Sequence, residues 1–565
     1  MEKATTIGEK RTRACVGACV GAWVARACAA LAFAAVLGSS ATAREPPSDV
    51  PLPAREASVA GVTARLEIDN PLRVVRPGEE AKARFVLANS QPAAAKASLE
   101  VEIESFDGGK VSRSADLEIP AKGAGEWPIP KDALGALGHK IVRFRLRVGG
   151  DASAQAERMF VYLTPTGRPK GDRGPGMLFG LAFGAGPDNF KVESALAADW
   201  LGLDVVRLHL PWGVTEPKAD QWQWERADEM LRRFEARGLK AEILFSGTAD
   251  WAVKSGPTLK KARHKGNPGS IPPDPKAWET FAGQFAGHFR GRVAYYEIWN
   301  EPDIGYWSGT DDEYLDLLRG AYRAIKAADP HAAVMTAGFA GGEEGGKRNV
   351  VLVQRVLKEA RDSFDFIAWH RHGAFKSFSK NLEDFLIPLR EKTGNARKRF
   401  YFTETAMDAK EGLRGQAEML VKKISYSASL GAEAHTWFNL HDKGSDSHDQ
   451  FGLLTIDGEP KPDFAAYNTL TAQLRGMTPA PRLVTAPNVW ALPFRCGDEW
   501  VVVCWREADK APAELRLETD ARAAQTIDIM GNARPLPLAS GGVSIPLSST
   551  PVYAHLSGAT RLSTK

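Results

Sequence analysis

Tyr295-Tyr296-Glu297-Ile298-Trp299-Asn300-Glu301-Pro302-Asp303 is an apolar, aromatic-rich run that ends in an amide, a carboxylate and a proline. The run has the composition of a strand, and proline cannot continue a hydrogen-bonded ladder. The strand therefore stops there and presents Glu301 at its carboxyl end. In a barrel of parallel strands, that end is where active sites are built.

A second carboxylate of the same kind follows 103 residues further along, in Arg399-Phe400-Tyr401-Phe402-Thr403-Glu404-Thr405. At roughly 33 residues per strand–helix unit, the spacing corresponds to three units, placing Glu301 on strand four and Glu404 on strand seven. Those strand ends face one another across a barrel mouth. Two facing carboxylates are the minimum equipment for cleaving a glycosidic bond, at about 5–5.5 Å for a retaining double displacement and about 6.5–9.5 Å for inversion through water.

The surrounding rhythm agrees with a barrel. Eight short apolar strands begin near Met177, Asp204, Lys240, Val293, Ala333, Phe364, Arg399 and Ala434, alternating with helical stretches. In one of these, Ala227, Met230, Leu231 and Phe234 recur at i, i+3, i+4 and i+7 before Gly238. A doubly wound open sheet is the competing topology, and the count of eight favours a TIM (β/α)8 barrel over residues 174–475.

The flanks read differently. Within residues 56–165, Leu99-Glu100-Val101-Glu102-Ile103 and Val142-Arg143-Phe144-Arg145-Leu146-Arg147-Val148 alternate with period two, which predicts an immunoglobulin-like β-sandwich with its arginines on the wet face. Residues 479–558 again read as β, with Val501-Val502-Val503-Cys504-Trp505 the clearest strand, and predict a C-terminal β-sandwich domain.

The 565 residues are 44% hydrophobic and 25% charged, an ordinary globular balance. Five basic residues, the apolar run Ala27 to Leu37 and an Ala-x-Ala ending at Ala43 predict a signal peptide over 1–43, and thus export to the periplasm or outside. The apolar run is about half of the ~20 residues a spanning helix needs, so no permanent membrane span is expected, an uncleaved signal anchor being the less favoured alternative. The leader takes with it +3 of the net charge of +4, and the near-neutral remainder argues against a nucleic-acid partner. Outside the leader only Cys496 and Cys504 remain, and a two-residue turn at Gly497-Asp498 would set Cys504 opposite a residue near Ala491 rather than opposite Cys496.

Trp299-Asn300-Glu301-Pro302 together with Thr403-Glu404 resembles the retaining glycoside hydrolases of clan A, and most of all family 39, the β-xylosidases and α-L-iduronidases. The resemblance spans roughly residues 177–475. It implies that Glu301 is the acid/base, that Glu404 is the nucleophile and that Asn300 binds the sugar's 2-hydroxyl. It further implies that Arg207 and His209 at the end of strand two, His370 and His372 at the end of strand six, and Trp437 at the end of strand eight serve the substrate or the nucleophile. His372 departs from the family's pattern, which has tyrosine there. The implied substrate is an oligosaccharide or polysaccharide, with no cofactor. A transglycosylase would use the same residues, and a non-catalytic carbohydrate-binding barrel is the rival of another class.

Among the tryptophans, Trp212, Trp251 and Trp307 are weaker candidates for sugar contact. The long loop from Thr248 to Pro275 carries Lys254, Lys260, Lys261, Arg263 and Lys265, a set that suits either solvent or an acidic substrate. His441, Asp442, Asp446, His448 and Asp449 are irregularly spaced and read as a polar rim loop, not a metal site.

Overall fold

The computed structural model describes residues 54–150, 152–164, 166, 176–183, 192–254, 270–341, 347–443, 450–507, 513–539 and 541–564. The expected leader, most of the basic loop after strand three, and Asp446, His448 and Asp449 lie outside them.

Eight parallel strands form the central sheet: β1 (Leu178–Phe183), β2 (Val205–His209), β3 (Lys240–Phe245), β4 (Val293–Ile298), β5 (Ala333–Met335), β6 (Ile367–His370), β7 (Phe400–Thr405) and β8 (Ala434–Trp437). Their starts fall within three residues of those read from the sequence. The order β5-β4-β3-β2-β1-β8-β7-β6 closes through parallel bridges Met335 to Phe366 and Phe339 to Trp369, so the sheet is a TIM barrel and not an open doubly wound sheet. Strands buried on both faces must be apolar nearly throughout, which is why these runs were legible. The helix Glu225–Glu235 buries Ala227, Met230, Leu231 and Phe234 as its periodicity requires, and Gly238 beyond it takes φ +69°.

Before the barrel, a four-stranded and a five-stranded sheet share a core that includes Phe85, Leu87, Leu99, Val101, Phe144 and Phe160. Leu99 pairs with Leu146 and Val101 with Phe144, while Arg143, Arg145 and Arg147 face outward among Glu100, Glu102, Glu104 and Glu157. After it, six-stranded and three-stranded sheets pack around Val502, Cys504, Leu517, Ile545 and Leu556. Cys504 does pair with Ala491, and Cys496 with Glu499, so the thiols are not bridged to one another.

The flanking domains are fastened to the barrel. Buried Arg158 pairs with Glu459 at 2.6 Å. Trp490 and Trp505 stack at 5.6 Å between centroids, and both rings meet Phe375 edge-on. No helix among the described residues is long and apolar enough to cross a membrane.

Candidate active site

The chain leaves β4 through an unusual backbone. Trp299 has φ +80° and Glu301 φ +42°, left-handed values that cost a non-glycine residue about 1–3 kcal/mol each. Two hydrogen bonds to the neighbouring strands hold the turn. The Trp299 amide donates to the Phe245 carbonyl at 2.8 Å, and the Glu301 amide donates to the Gly338 carbonyl at 3.0 Å. Glu301 is thereby set at the carboxyl rim with a side chain 11% exposed.

Arg207 on β2 is the hub of the site. It is buried, and each end of its guanidinium is used: Nε donates to Glu297 Oε2 at 2.6 Å, Nη1 to Glu404 Oε1 at 2.6 Å and Nη2 to Asn300 Oδ1 at 3.0 Å. Since a guanidinium only donates, the Asn300 amide must turn its oxygen inward, which leaves its Nδ2 as the donor for a ligand. Burial opposes the Arg207 charge, yet Glu297, Glu404 and Glu242 outweigh it and raise the guanidinium's pKa.

His370 ends β6 and is buried. Its Nδ1 lies 2.9 Å from Glu301 Oε1 and 3.6 Å from Glu404 Oε2, and its Nε2 lies 2.9 Å from Thr403 Oγ1. Burial disfavours the imidazolium, but Glu404, Glu297 and Glu301 raise it to about 10, so both ring nitrogens carry protons at neutral pH. For Glu404 burial again pushes upward; the charges of His370 and Arg207, with His372 beyond them, pull its carboxyl well below the usual range. The nucleophile candidate is thus held ionised.

His372 occupies the tyrosine position of the family pattern. Its Nε2 lies 3.7 Å from Glu404 Oε2, and its ring stacks on Phe451 with centroids 5.5 Å apart. The nearest oxygens of Glu301 and Glu404, with a nitrogen of His372, all fall within 4.8 Å of one another. An approach of this order lets both carboxylates reach one glycosidic bond.

The remaining expected residues sit less centrally. His209 bridges to Ser246, with Nε2 3.0 Å from the hydroxyl, and burial lowers its pKa. Trp437 is fully buried at the end of β8, so its ring presents no free face to solvent as a sugar floor would. Trp212 and Trp307 are core residues: Trp212 packs on Trp278 and Phe281 and donates to Glu216, and Trp307 meets Trp299 edge-on and donates to the Thr310 carbonyl. Half-buried Trp251 donates to the Glu216 carbonyl at 2.9 Å. Of the rim-loop set, Asp442 forms a buried ion pair with Lys461 at 2.9 Å.

Three site residues were not singled out from the sequence: Glu242 on β3, Glu297 on β4 and Thr403 on β7. The signal was present, because an acid inside a buried parallel strand needs a partner. Burial, then the charge of Glu297, pushes Glu242 well above the carboxylate range, whereas Arg207 and His370 overcome burial and lower Glu297.

No family model matches the sequence. A curated β-xylosidase from Caldicellulosiruptor saccharolyticus is 26% identical over 275 residues, covering 41% of this chain and 53% of the relative. The chain thus spans about half the length of that curated relative. Among solved structures, a family 39 glycoside hydrolase from Bacteroides cellulosilyticus WH2 superposes with a TM-score of 0.67 at 18% identity, over 87% of this chain and all of the other. A family 30 endoxylanase from Clostridium papyrosolvens C71 gives a TM-score of 0.50 at 13% identity, over 68% and 98% of the two chains. The two superpositions are likenesses of fold. The chain resembles the clan A glycoside hydrolases, and family 39 most.

Proposed function

We propose that this chain is a retaining O-glycoside hydrolase acting on an oligosaccharide or polysaccharide by double displacement. The observation that carries the reading is the convergence of Glu301 and Glu404 within 4.8 Å, in unlike surroundings. Glu404 is bound by Arg207 at 2.6 Å and kept ionised, as a nucleophile must be. Among the described residues the ion pair of Glu301 is with His370, at 2.9 Å, and Glu301 stands past the end of β4 as the proton donor.

In the first step Glu404 attacks the anomeric carbon while Glu301 gives its proton to the departing oxygen. In the second, Glu301 takes a proton from water, which releases the sugar from Glu404. Asn300, its oxygen occupied by Arg207, offers Nδ2 to the hydroxyl beside the reacting carbon. His372 stands in for the family's tyrosine as a second polar neighbour of Glu404. The curated relative's name makes β-xylosides the first substrates to try, within a wider panel of aryl glycosides and of neutral and acidic polysaccharides. Export through residues 1–43 belongs to the same proposal, and N-terminal sequencing of the secreted protein tests it.

The assignment is tested by Glu404→Gln in the full chain. Turnover should fall by at least about three orders of magnitude, since the nucleophile acts only in forming the transition state. Wild-type turnover in a clean preparation would remove Glu404 from the mechanism.

A further inference from the structure

We propose that Glu297 is a positioning residue that aligns both members of the carboxylate pair through two separate arms. This rests on the roles given to Glu301 and Glu404. Glu297 is fully buried on β4, four residues before Glu301, and cannot itself reach solvent. Its Oε2 accepts from Arg207 Nε at 2.6 Å, and the same guanidinium grips Glu404 Oε1 and Asn300 Oδ1. Its Oε1 accepts from the Thr403 hydroxyl at 2.7 Å, and that hydroxyl accepts from His370 Nε2 at 2.9 Å. The opposite nitrogen of the same ring, Nδ1, donates to Glu301 Oε1 at 2.9 Å.

One carboxylate therefore orients the nucleophile through Arg207 and the acid/base through Thr403 and His370. The protons run in one direction along the second arm. The imidazolium donates at both nitrogens, the threonine accepts once and donates once, and Glu297 only accepts. Gly338 leaves room for the arm, since a Cβ there would stand 2.0 Å from His370 Nε2 and 2.4 Å from Glu297 Oε1. The charged groups facing His370 are Glu297 and Glu301 from β4 and its end and Glu404 from β7, with His372 two residues on, past the end of β6, beside Glu404. Arg207 and Glu242 lie behind Glu297.

The two arms separate kinetically because a good leaving group needs no proton. Thr403→Val cuts only the arm to Glu301. It should lower kcat/KM on a phenyl glycoside about tenfold or more, and on the dinitrophenyl glycoside of the same sugar by less than about threefold. Thr403→Ser should restore the phenyl rate. Glu297→Gln loosens both arms, so both substrates should slow. With one anion fewer beside His370, the alkaline limb of kcat/KM should also move down by about one pH unit. Aryl β-xylosides are the first probes, replaced by the aryl glycosides of whichever sugar turns over.

Equal slowing of both substrates by Thr403→Val, or a wild-type rate and pH profile for Glu297→Gln, overturns the proposal. Glu301→Gln, run alongside, should lose the phenyl glycoside and keep much of the dinitrophenyl rate. Full retention of both rates there would sink the underlying assignment. Its expected behaviour beside an unaffected Thr403→Val and Glu297→Gln sinks only the positioning role.

Discussion

At the scale of single residues, the site is an exercise in how burial and charge trade against each other. Glu242 and Glu297 lie on adjacent strands, both fully buried, yet burial raises the first and Arg207 with His370 lowers the second. Both meet Arg207, Glu297 at 2.6 Å and Glu242 at 3.3 Å, and the shorter contact together with the added charge of His370 decides the difference. His370 shows the same competition with the opposite charge, its pKa raised from 6.5 to about 10 against burial. A group raised in the folded state gives stability that is complete below its unfolded pKa and is lost as pH climbs through the folded one. The stability gap between the protein and His370→Gln should therefore be widest below about pH 6.5 and narrow steadily toward pH 10. Urea unfolding of both proteins at pH 6, 8 and 10 measures this, and a gap that widens with pH would contradict the ionic role of His370.

At the scale of elements, each candidate carboxylate is delivered at the end of its strand. The β4 ladder ends at Ile298, short of Pro302, with one further bridge from Asn300 to Gly338, and the left-handed turn at Trp299 and Glu301 is held by carbonyls of β3 and of the segment after β5. Gly338 is the tightest point. Its carbonyl receives the Glu301 amide, and its missing side chain admits His370 and Glu297. Gly338→Ala should cost about 1–3 kcal/mol by overpacking, and should cut activity further by displacing His370; denaturant midpoints and kcat on one aryl glycoside read the two effects. The eight strands were legible because a parallel strand buried on both faces reads as an unbroken apolar run. Glu301 and Glu404 were legible because a carboxylate closes such a run. Glu297 and Glu242 were not, since an acid inside a strand announces a buried partner without saying which of several distant strands supplies it. The tryptophans show the same limit from the other side. Trp212 and Trp307 have the composition of sugar platforms, but whether a ring faces solvent or core depends on helices packed outside the barrel, and these two face the core.

At the scale of the whole molecule, the barrel's apolar core runs on into both flanking β domains, taking Leu72, Val74, Val161 and Leu163 from the first and Leu492, Phe494, Val501 and Trp505 from the last. Glu459, in the turn that follows the barrel's last strand, takes Arg158 from the N-terminal sandwich, and the Trp490–Trp505 stack seats the C-terminal domain on Phe375. None of this was readable from the sequence, because surface residues of one domain become interior only when another domain covers them. The arrangement leaves the carboxyl rim of the barrel, where Arg207, Asn300, Glu301, His370 and Glu404 meet, as the place where chemistry is built. The most direct test of that chemistry is to treat the protein with a 2-deoxy-2-fluoro glycosyl fluoride of a sugar it turns over, and to sequence the labelled peptide by mass spectrometry. A retaining mechanism predicts one glycosyl group per chain, on Glu404. A label on another residue, or unlabelled protein that still turns over the parent glycoside with inversion, would contradict it.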